Sequence, residues 1–176
     1  MSHTLTEIDI ATGVRKLADQ ILNSYPSGGF ALVGVRSRGD EVASRILDLL
    51  VQAGVEVPMG ILDISLYRDD LAHLSSNPKL QGSDLPFPVD KAKIVLVDDV
   101  IFTGRTVRAA IDALMDYGRP AKIELAVLID RGHRELPFAP GYVGIDMDTQ
   151  RLDYVDVKLK NTDGVDSVEV IQNTEK

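Results

Sequence analysis

The sequence predicts an α/β protein built on a doubly wound, mostly parallel sheet. Three observations carry that prediction. Short apolar runs such as Phe30 to Val35 (FALVGV) and Lys122 to Ile129 (KIELAVLI) have the make-up of strands covered on both faces. Segments of helical period lie between these runs, so strand and helix alternate along the chain. The polar residues that stand out collect just past the strand ends, where sheets of this kind bind their ligands.

Each element has its own signal. Thr6-Glu7-Ile8-Asp9 fits a capping box, and Val14, Leu17, Ala18, Ile21 and Leu22 follow at helical spacing until Pro26-Ser27-Gly28-Gly29 breaks the pattern. The first strand covers about 30–35. Asp40 to Val51 returns to helical period, with Val42, Ala43, Ile46, Leu49 and Leu50 on one side and Gly54 past its end. A second strand is expected within Val55 to Tyr67, near 56–66. The stretch from about Arg68 to Asp90 is rich in Asp, Ser, Asn, Pro and Gly, and is long for a connection in a compact domain, so it reads as a lid. A third strand covers 93–100, a third helix Thr106 to Tyr117 closes at Gly118, and the fourth strand covers 122–129. Asp130 to Gly144 reads as irregular. The tail alternates with period two on both sides of Asn161-Thr162-Asp163-Gly164, which predicts a peripheral hairpin.

Composition narrows the function classes. With 176 residues, 44% hydrophobic and 26% charged, the chain reads as a single globular domain over 1–176. It has no cysteine, which excludes disulfides and thiolate metal sites and suits a reducing cytoplasm, the expected location. No apolar run approaches membrane-spanning length, so no membrane partner is expected. A formal charge of −8 argues against a general polyanion binder; a nucleic-acid role needs a local basic face.

The most informative stretch is Val95 to Thr106, VLVDDVIFTGRT. Thr103-Gly104-Arg105-Thr106 joins a strand to a helix, so its amides meet at a helix N-terminus, where a phosphate is the natural guest. Gly104 permits a close approach or a positive φ. Asp98 and Asp99 lie just upstream, and two carboxylates suit either a vicinal diol or a hydrated Mg²⁺. An isolated acidic pair before Thr-Gly is as often a capped turn. At the end of a buried strand, however, such a pair is costly unless hydrogen-bonded, which favours a site. The chain lacks G-x-x-x-x-G-K-[ST] and a G-x-G-x-x-G after a strand. A phosphoacceptor receiver domain carries its acidic pair after the first strand, whereas this pair follows the third.

IVLVDDVIFTGRT resembles the signature of type I phosphoribosyltransferases, which bind 5-phosphoribosyl-1-pyrophosphate. LVGVRSRG, DISLYRDDL, LVDDVIFTGRTVRAAIDAL, GRP and LAVLIDRGHRELP together resemble the bifunctional pyrimidine operon attenuation regulators that carry uracil phosphoribosyltransferase activity. The resemblance runs from about Ile8 to Gly144 and is densest from Ile64 to Pro137.

The resemblance implies that family's fold, with a flexible lid at about 68–90 and a small hood from the N-terminal segment, 130–144 and the tail hairpin. It implies formation of UMP and pyrophosphate from uracil. Asp98 and Asp99 are then expected to hold the ribose hydroxyls and to serve catalysis. Thr103, Gly104, Arg105 and Thr106 wrap the 5′-phosphate, and Val100, Ile101 and Phe102 belong to the same substrate-binding stretch. Arg36-Ser37-Arg38-Gly39 takes the pyrophosphate with Mg²⁺, the metal being held through the pyrophosphate and ribose hydroxyls. Arg68 reaches in on lid closure, while Asp69, Asp70 and His73 have no assigned role, and His3 none either. Similar purine-using enzymes often place an aspartate where Phe102 stands, so a pyrimidine is the expected base, read by Asp130 and Arg131.

Other implied partners are UMP and UTP, a leader mRNA, and further copies of the chain as a homodimer or higher oligomer. The candidate RNA contacts are Arg15 with Lys16, Arg131, His133 and Arg134. Asp146, Asp148, Asp153, Asp156, Asp163 and Asp166 in the tail depart from the family's pattern and oppose RNA. The alternatives are an attenuator with vestigial activity and a purine phosphoribosyltransferase.

Overall fold

The structure, a computed structural model, describes residues 4–70 and 82–173. Its first helix, α1 (Glu7–Ser24), follows a two-residue strand, β1 (Thr4–Leu5). The helix starts where the sequence places it. The Thr6 amide donates to the Asp9 carboxylate at 2.8 Å and the Asp9 amide donates back to Thr6 Oγ1 at 3.4 Å, so the capping box is closed. Ile10, Leu17 and Ile21 are wholly buried, and burying each stabilises by ~1.5–3 kcal/mol.

Next come β2 (Ala31–Arg36), α2 (Gly39–Gln52), β3 (Met59–Asp63), β4 (Lys93–Ile101), α3 (Arg105–Met115), β5 (Lys122–Asp130) and β6 (Tyr142–Asp146). They form a five-stranded sheet in the order β3-β2-β4-β5-β6, parallel throughout. Alternation along the central strand sorts its side chains to the two faces: Val95 and Val97 join the core under α1 and α2, while Ile94 and Leu96 join the core under α3. Both faces are covered, which is why these strands read as continuous apolar runs.

Three features differ from expectation. β6 occupies a stretch read as irregular. It is a short edge strand following Pro140-Gly141, and it is recruited by packing: an atom at the Cβ position of Gly144 would stand 2.8 Å from the Leu128 carbonyl and 2.9 Å from that of Gly13 on α1. β3 is shorter than expected, because Asp63 ends it by accepting the Ser65 amide at 2.9 Å in a side-chain turn. The second half of the expected lid is packed rather than free. Ile61 and Asp84 exchange backbone hydrogen bonds at 2.7 and 2.8 Å, and Leu85, Phe87 and Val89 pack into the core under α3. Of the remainder, His73 lies outside the described residues, as does His3.

The tail forms β7 (Tyr154–Lys158), a turn of helix α4 (Lys160–Asp163) and β8 (Ser167–Ile171), with β1 as third strand in the order β1-β8-β7. This small antiparallel sheet is not peripheral. Val155, Val157, Leu159, Val168 and Val170 are buried in the same core as α1 and α2.

Candidate active site

Three loops meet beyond the carboxyl ends of β2, β4 and β5. The β4 loop starts with the acidic pair. Asp98 is 5% exposed and Asp99 half-buried. Asp98 Oδ1 accepts the Asp99 amide at 2.9 Å, and Asp99 Oδ1 accepts the Val100 amide at 2.8 Å. Burial, then the neighbouring Asp99 charge, pushes the Asp98 carboxyl well above the usual carboxylate range, and burial raises Asp99 as well. The two carboxylates lean on each other, and the charges of Arg68 and Arg38 reach Asp98 and Asp99 without forming an ion pair among the described residues. The pair is poised for donors brought by a ligand: hydroxyls or a cation.

Ile101 is buried and Phe102 half-buried, and Gly104, at φ 92°, turns the chain into α3. Only a residue tolerant of positive φ fits there, and a Cβ would also meet Phe138 at 3.2 Å. The N-cap residue of α3, Gly104, offers no side-chain cap, and the Arg105 amide has only a long contact to Thr103 Oγ1 at 3.4 Å. That turn borders a cleft of about 240 Å³ lined by Arg68, Asp69, Asp70, Thr103, Arg105 and Thr106. Arg105 spans that cleft, reaching Asp69 at 2.8 Å and Glu135 at 2.9 Å. Arg68 is exposed at the rim and pairs with Asp70 at 2.7 Å.

The β2 loop, Arg36 to Gly39, abuts the acidic pair. A Cβ on Gly39 would lie 2.6 Å from the Val97 carbonyl and 3.0 Å from Asp98 Cα. Only glycine lets this backbone run so close to β4. The Arg36–Ser37 peptide is cis, Ser37 is exposed, and Arg38 takes φ 75°. Arg36 Nε is buried without a hydrogen bond and lies 3.7 Å from Asp40. Arg38 donates from Nε and Nη2 to Asp163 at 3.0 and 2.9 Å, and feels the Asp99 charge.

The β5 loop forms a wall around Phe102. Arg131, 5% exposed, stacks its guanidinium 4.0 Å from the Phe102 ring centre and donates to the Asp153 and Gln150 carbonyls at 2.9 Å. Burial lowers its pKa. Asp130 accepts the Gly132 amide at 2.9 Å and Arg134 at 2.5 Å. Arg134 also donates to the Phe102 and Phe138 carbonyls at 3.0 Å, so it ties this wall to the β4 loop. The His133 ring meets the Thr149 carbonyl at 2.7 Å and stands edge-on to Phe102.

The residues expected at the crevice from β2, β4 and β5 therefore come together. Arg15 does not join them: it is exposed on α1, beside Arg45 and Asp48 of α2. Sequence reasoning missed Glu41, Arg45, Thr149, Gln150 and Asp153 as supports of these loops. Their only sequence signal is polarity, which does not separate a buried clamp from a solvated face.

An acidic pair beside the start of a helix, against an arginine loop, has the donors and acceptors that a phosphorylated sugar calls for. The comparisons with known proteins agree on the class. Residues 4–168 match the family model described as phosphoribosyl transferase domain, and the chain belongs to that family. Its relatives include the bifunctional protein PyrR of Acetivibrio thermocellus, 50% identical over 94% of this chain and 91% of that protein. Another is the bifunctional protein PyrR of Akkermansia muciniphila, 48% identical over 90% of this chain and 89% of its own. Among solved structures, the hypoxanthine phosphoribosyltransferase of Trypanosoma cruzi superposes with a TM-score of 0.72 at 19% identity, covering 95% of this chain and 91% of that one. At that identity the likeness speaks for the fold alone.

Proposed function

We propose that this protein joins uracil to 5-phosphoribosyl-1-pyrophosphate, forming UMP and releasing pyrophosphate. The observation that carries the reading is the meeting of Asp98 and Asp99 with the Arg36–Gly39 loop on one side and the start of α3 on the other. The sugar phosphate sits on the α3 amides between Thr103 and Thr106. The ribose hydroxyls donate to the acidic pair. Cleavage of the C1–O bond leaves positive charge on the sugar ring, which the acidic pair stabilises. Arg38, Arg36 and, from the rim, Arg68 draw off the charge of the departing pyrophosphate.

Mg²⁺ fits this donor set. Asp98 and Asp99 with the substrate pyrophosphate would offer it hard oxygen ligands, and its charge would offset that of the leaving group. Among the described residues no cluster of three or more histidines or acids forms a cage for it.

The base is read beside Phe102. An aromatic backed by Arg131 offers a stacking face and no carboxylate, which favours a pyrimidine over a purine. With Arg131 held by carbonyls, its part is to fix Phe102, and the backbone from Asp130 supplies the polar edge. Side-by-side assays of uracil and hypoxanthine, with and without Mg²⁺, test this; a clear preference for hypoxanthine overturns the base assignment. We also propose a homodimer, which sedimentation showing only monomer at micromolar concentration refutes.

The bifunctional naming of the relatives carries a second reading, regulation through a leader mRNA. Arg15 and Lys16 are exposed, but His133 Nε2 and the Arg134 guanidinium are engaged within the fold. With a net charge of −8, RNA binding is expected to be strongly salt-sensitive. Titration of the pyrimidine-gene leader at physiological salt tests it; tight, sequence-specific binding establishes the second function without touching the first.

A further inference from the structure

We infer that Asp163, on the tail, is a positioning residue for Arg38; the inference rests on the phosphoribosyltransferase reading above. Arg38 offers five N–H donors. Asp163 takes one edge of the guanidinium, through Nε and Nη2, and Nη1 has no hydrogen-bond partner among the described residues. One edge is held and the other is left for an anion.

The holder is itself held. Asp163 Oδ2 accepts the Leu159 amide at 2.8 Å, while the Asp163 amide donates to the Leu159 carbonyl at 2.6 Å. Glu41, 6% exposed on α2, accepts the Asn161 and Thr162 amides at 3.0 Å and the Thr162 hydroxyl at 2.8 Å. Arg45, one turn further on, grips Asp166 at 2.7 and 2.8 Å and Glu41 at 2.5 Å. The loop that carries Arg38 runs directly into this same helix. The tail turn is therefore clamped to the element that follows the arginine, and Asp163 stays in place when an anion arrives.

A free arginine loses rotamer freedom on binding, and a pre-held one has less to lose. The Asp163 charge also repels an anion, but that effect is screened by salt whereas orientation is not. The screening length at about 0.15 M salt is ~8 Å, longer than the span of one guanidinium, so the repulsion persists. The gain from orientation has to exceed it, by a margin that grows with salt.

The experiment uses the full chain. Kinetics give KM for each substrate, and calorimetry gives the affinity for Mg²⁺-pyrophosphate. Asp163→Asn is expected to raise KM for phosphoribosyl pyrophosphate and weaken pyrophosphate about fivefold, with KM for uracil unchanged. Asp163→Glu restores part of the loss, and an Arg38→Ala background abolishes the effect. Thr162→Val removes one hydroxyl contact to Glu41 but leaves the Asn161 and Thr162 amides on Glu41 and Asp163 on Arg38, so pyrophosphate affinity stays near wild type. Unchanged or tighter pyrophosphate binding in Asp163→Asn overturns the inference. So does an equal loss in the Arg38→Ala background, or an equal loss in Thr162→Val. A wild-type protein that binds neither pyrophosphate nor phosphoribosyl pyrophosphate instead overturns the underlying functional reading.

Discussion

Gly39→Ala probes the closest approach in the site. The new methyl would start 2.6 Å from the Val97 carbonyl oxygen and 3.0 Å from Asp98 Cα, both backbone atoms of the central strand. Neither can swing aside like the end of a side chain. To reach ordinary contact at 3.4 Å, the loop must withdraw from β4 by about 0.8 Å. Two effects compete in stability. Alanine is the better helix former by up to ~1 kcal/mol, and Gly39 begins α2. Overpacking against fixed backbone costs ~1–3 kcal/mol, and it is expected to win. The net loss of about 1–2 kcal/mol lowers Tm by about 2–8 °C in a chain of this size. Activity suffers more, because the same shift moves Arg38 away from the acidic pair. A misplacement near 1 Å can cost ~100-fold, so kcat/KM for UMP formation should fall by about one to two orders of magnitude. The assay is steady-state UMP synthesis well below Tm, beside a thermal melt. A variant with wild-type kcat/KM and Tm would falsify the close packing and the site geometry built on it.

Asp98→Asn and Asp99→Asn should each lower turnover by about 100-fold, since each removes a charge aimed at the reacting sugar; wild-type rates in both would make the pair structural. Asp98→Asn should also stabilise the fold. The folded carboxyl is raised above its unfolded value, so its favourable contribution is complete below the unfolded pKa and is lost as pH rises through the raised one. The Tm advantage of the Asn variant should therefore widen from about pH 4 upward, and a constant gap in melts across pH counts against it. Glu41→Ala strips the clamp on the tail turn and leaves the Asn161 and Thr162 amides and one edge of Arg45 unmet. The expected cost is about 3 kcal/mol, or a Tm lower by about 6–12 °C. Burial alone would raise the Glu41 carboxyl, yet hydrogen bonds from Asn161, Thr162 and Arg45 hold it below the usual range. Its stabilisation is thus present above the unfolded pKa and lost as pH falls through the depressed one, so the wild-type advantage should shrink in acid. A gap that does not change with pH argues against the clamp.

The chain's local chemistry determined the alternation of strands and helices, the capping box at Thr6, and the meeting of Asp98, Asp99 and the Thr103–Thr106 loop at one strand end. These were legible because each is set by neighbours in sequence: period, caps, and the glycine a left-handed turn requires. Phe102 was legible in the same way, by its place before Thr-Gly. Tertiary contact alone decided the rest. β6 is a strand because Gly144 can press against Leu128 and Gly13, and no local pattern reports that neighbour. Residues 82–90 are anchored because β3 has an open edge beside them, which Asp84 takes. Arg131, read as a base contact, has its guanidinium drawn onto carbonyls of Gln150 and Asp153, a partnership spanning some twenty residues of sequence. Asp163 and Asp166 read as excess negative charge on a tail, yet each is paired with an arginine more than a hundred residues away. A carboxylate's sequence states its charge. Only the fold states which cation neutralises it, because that depends on where the chain returns in space.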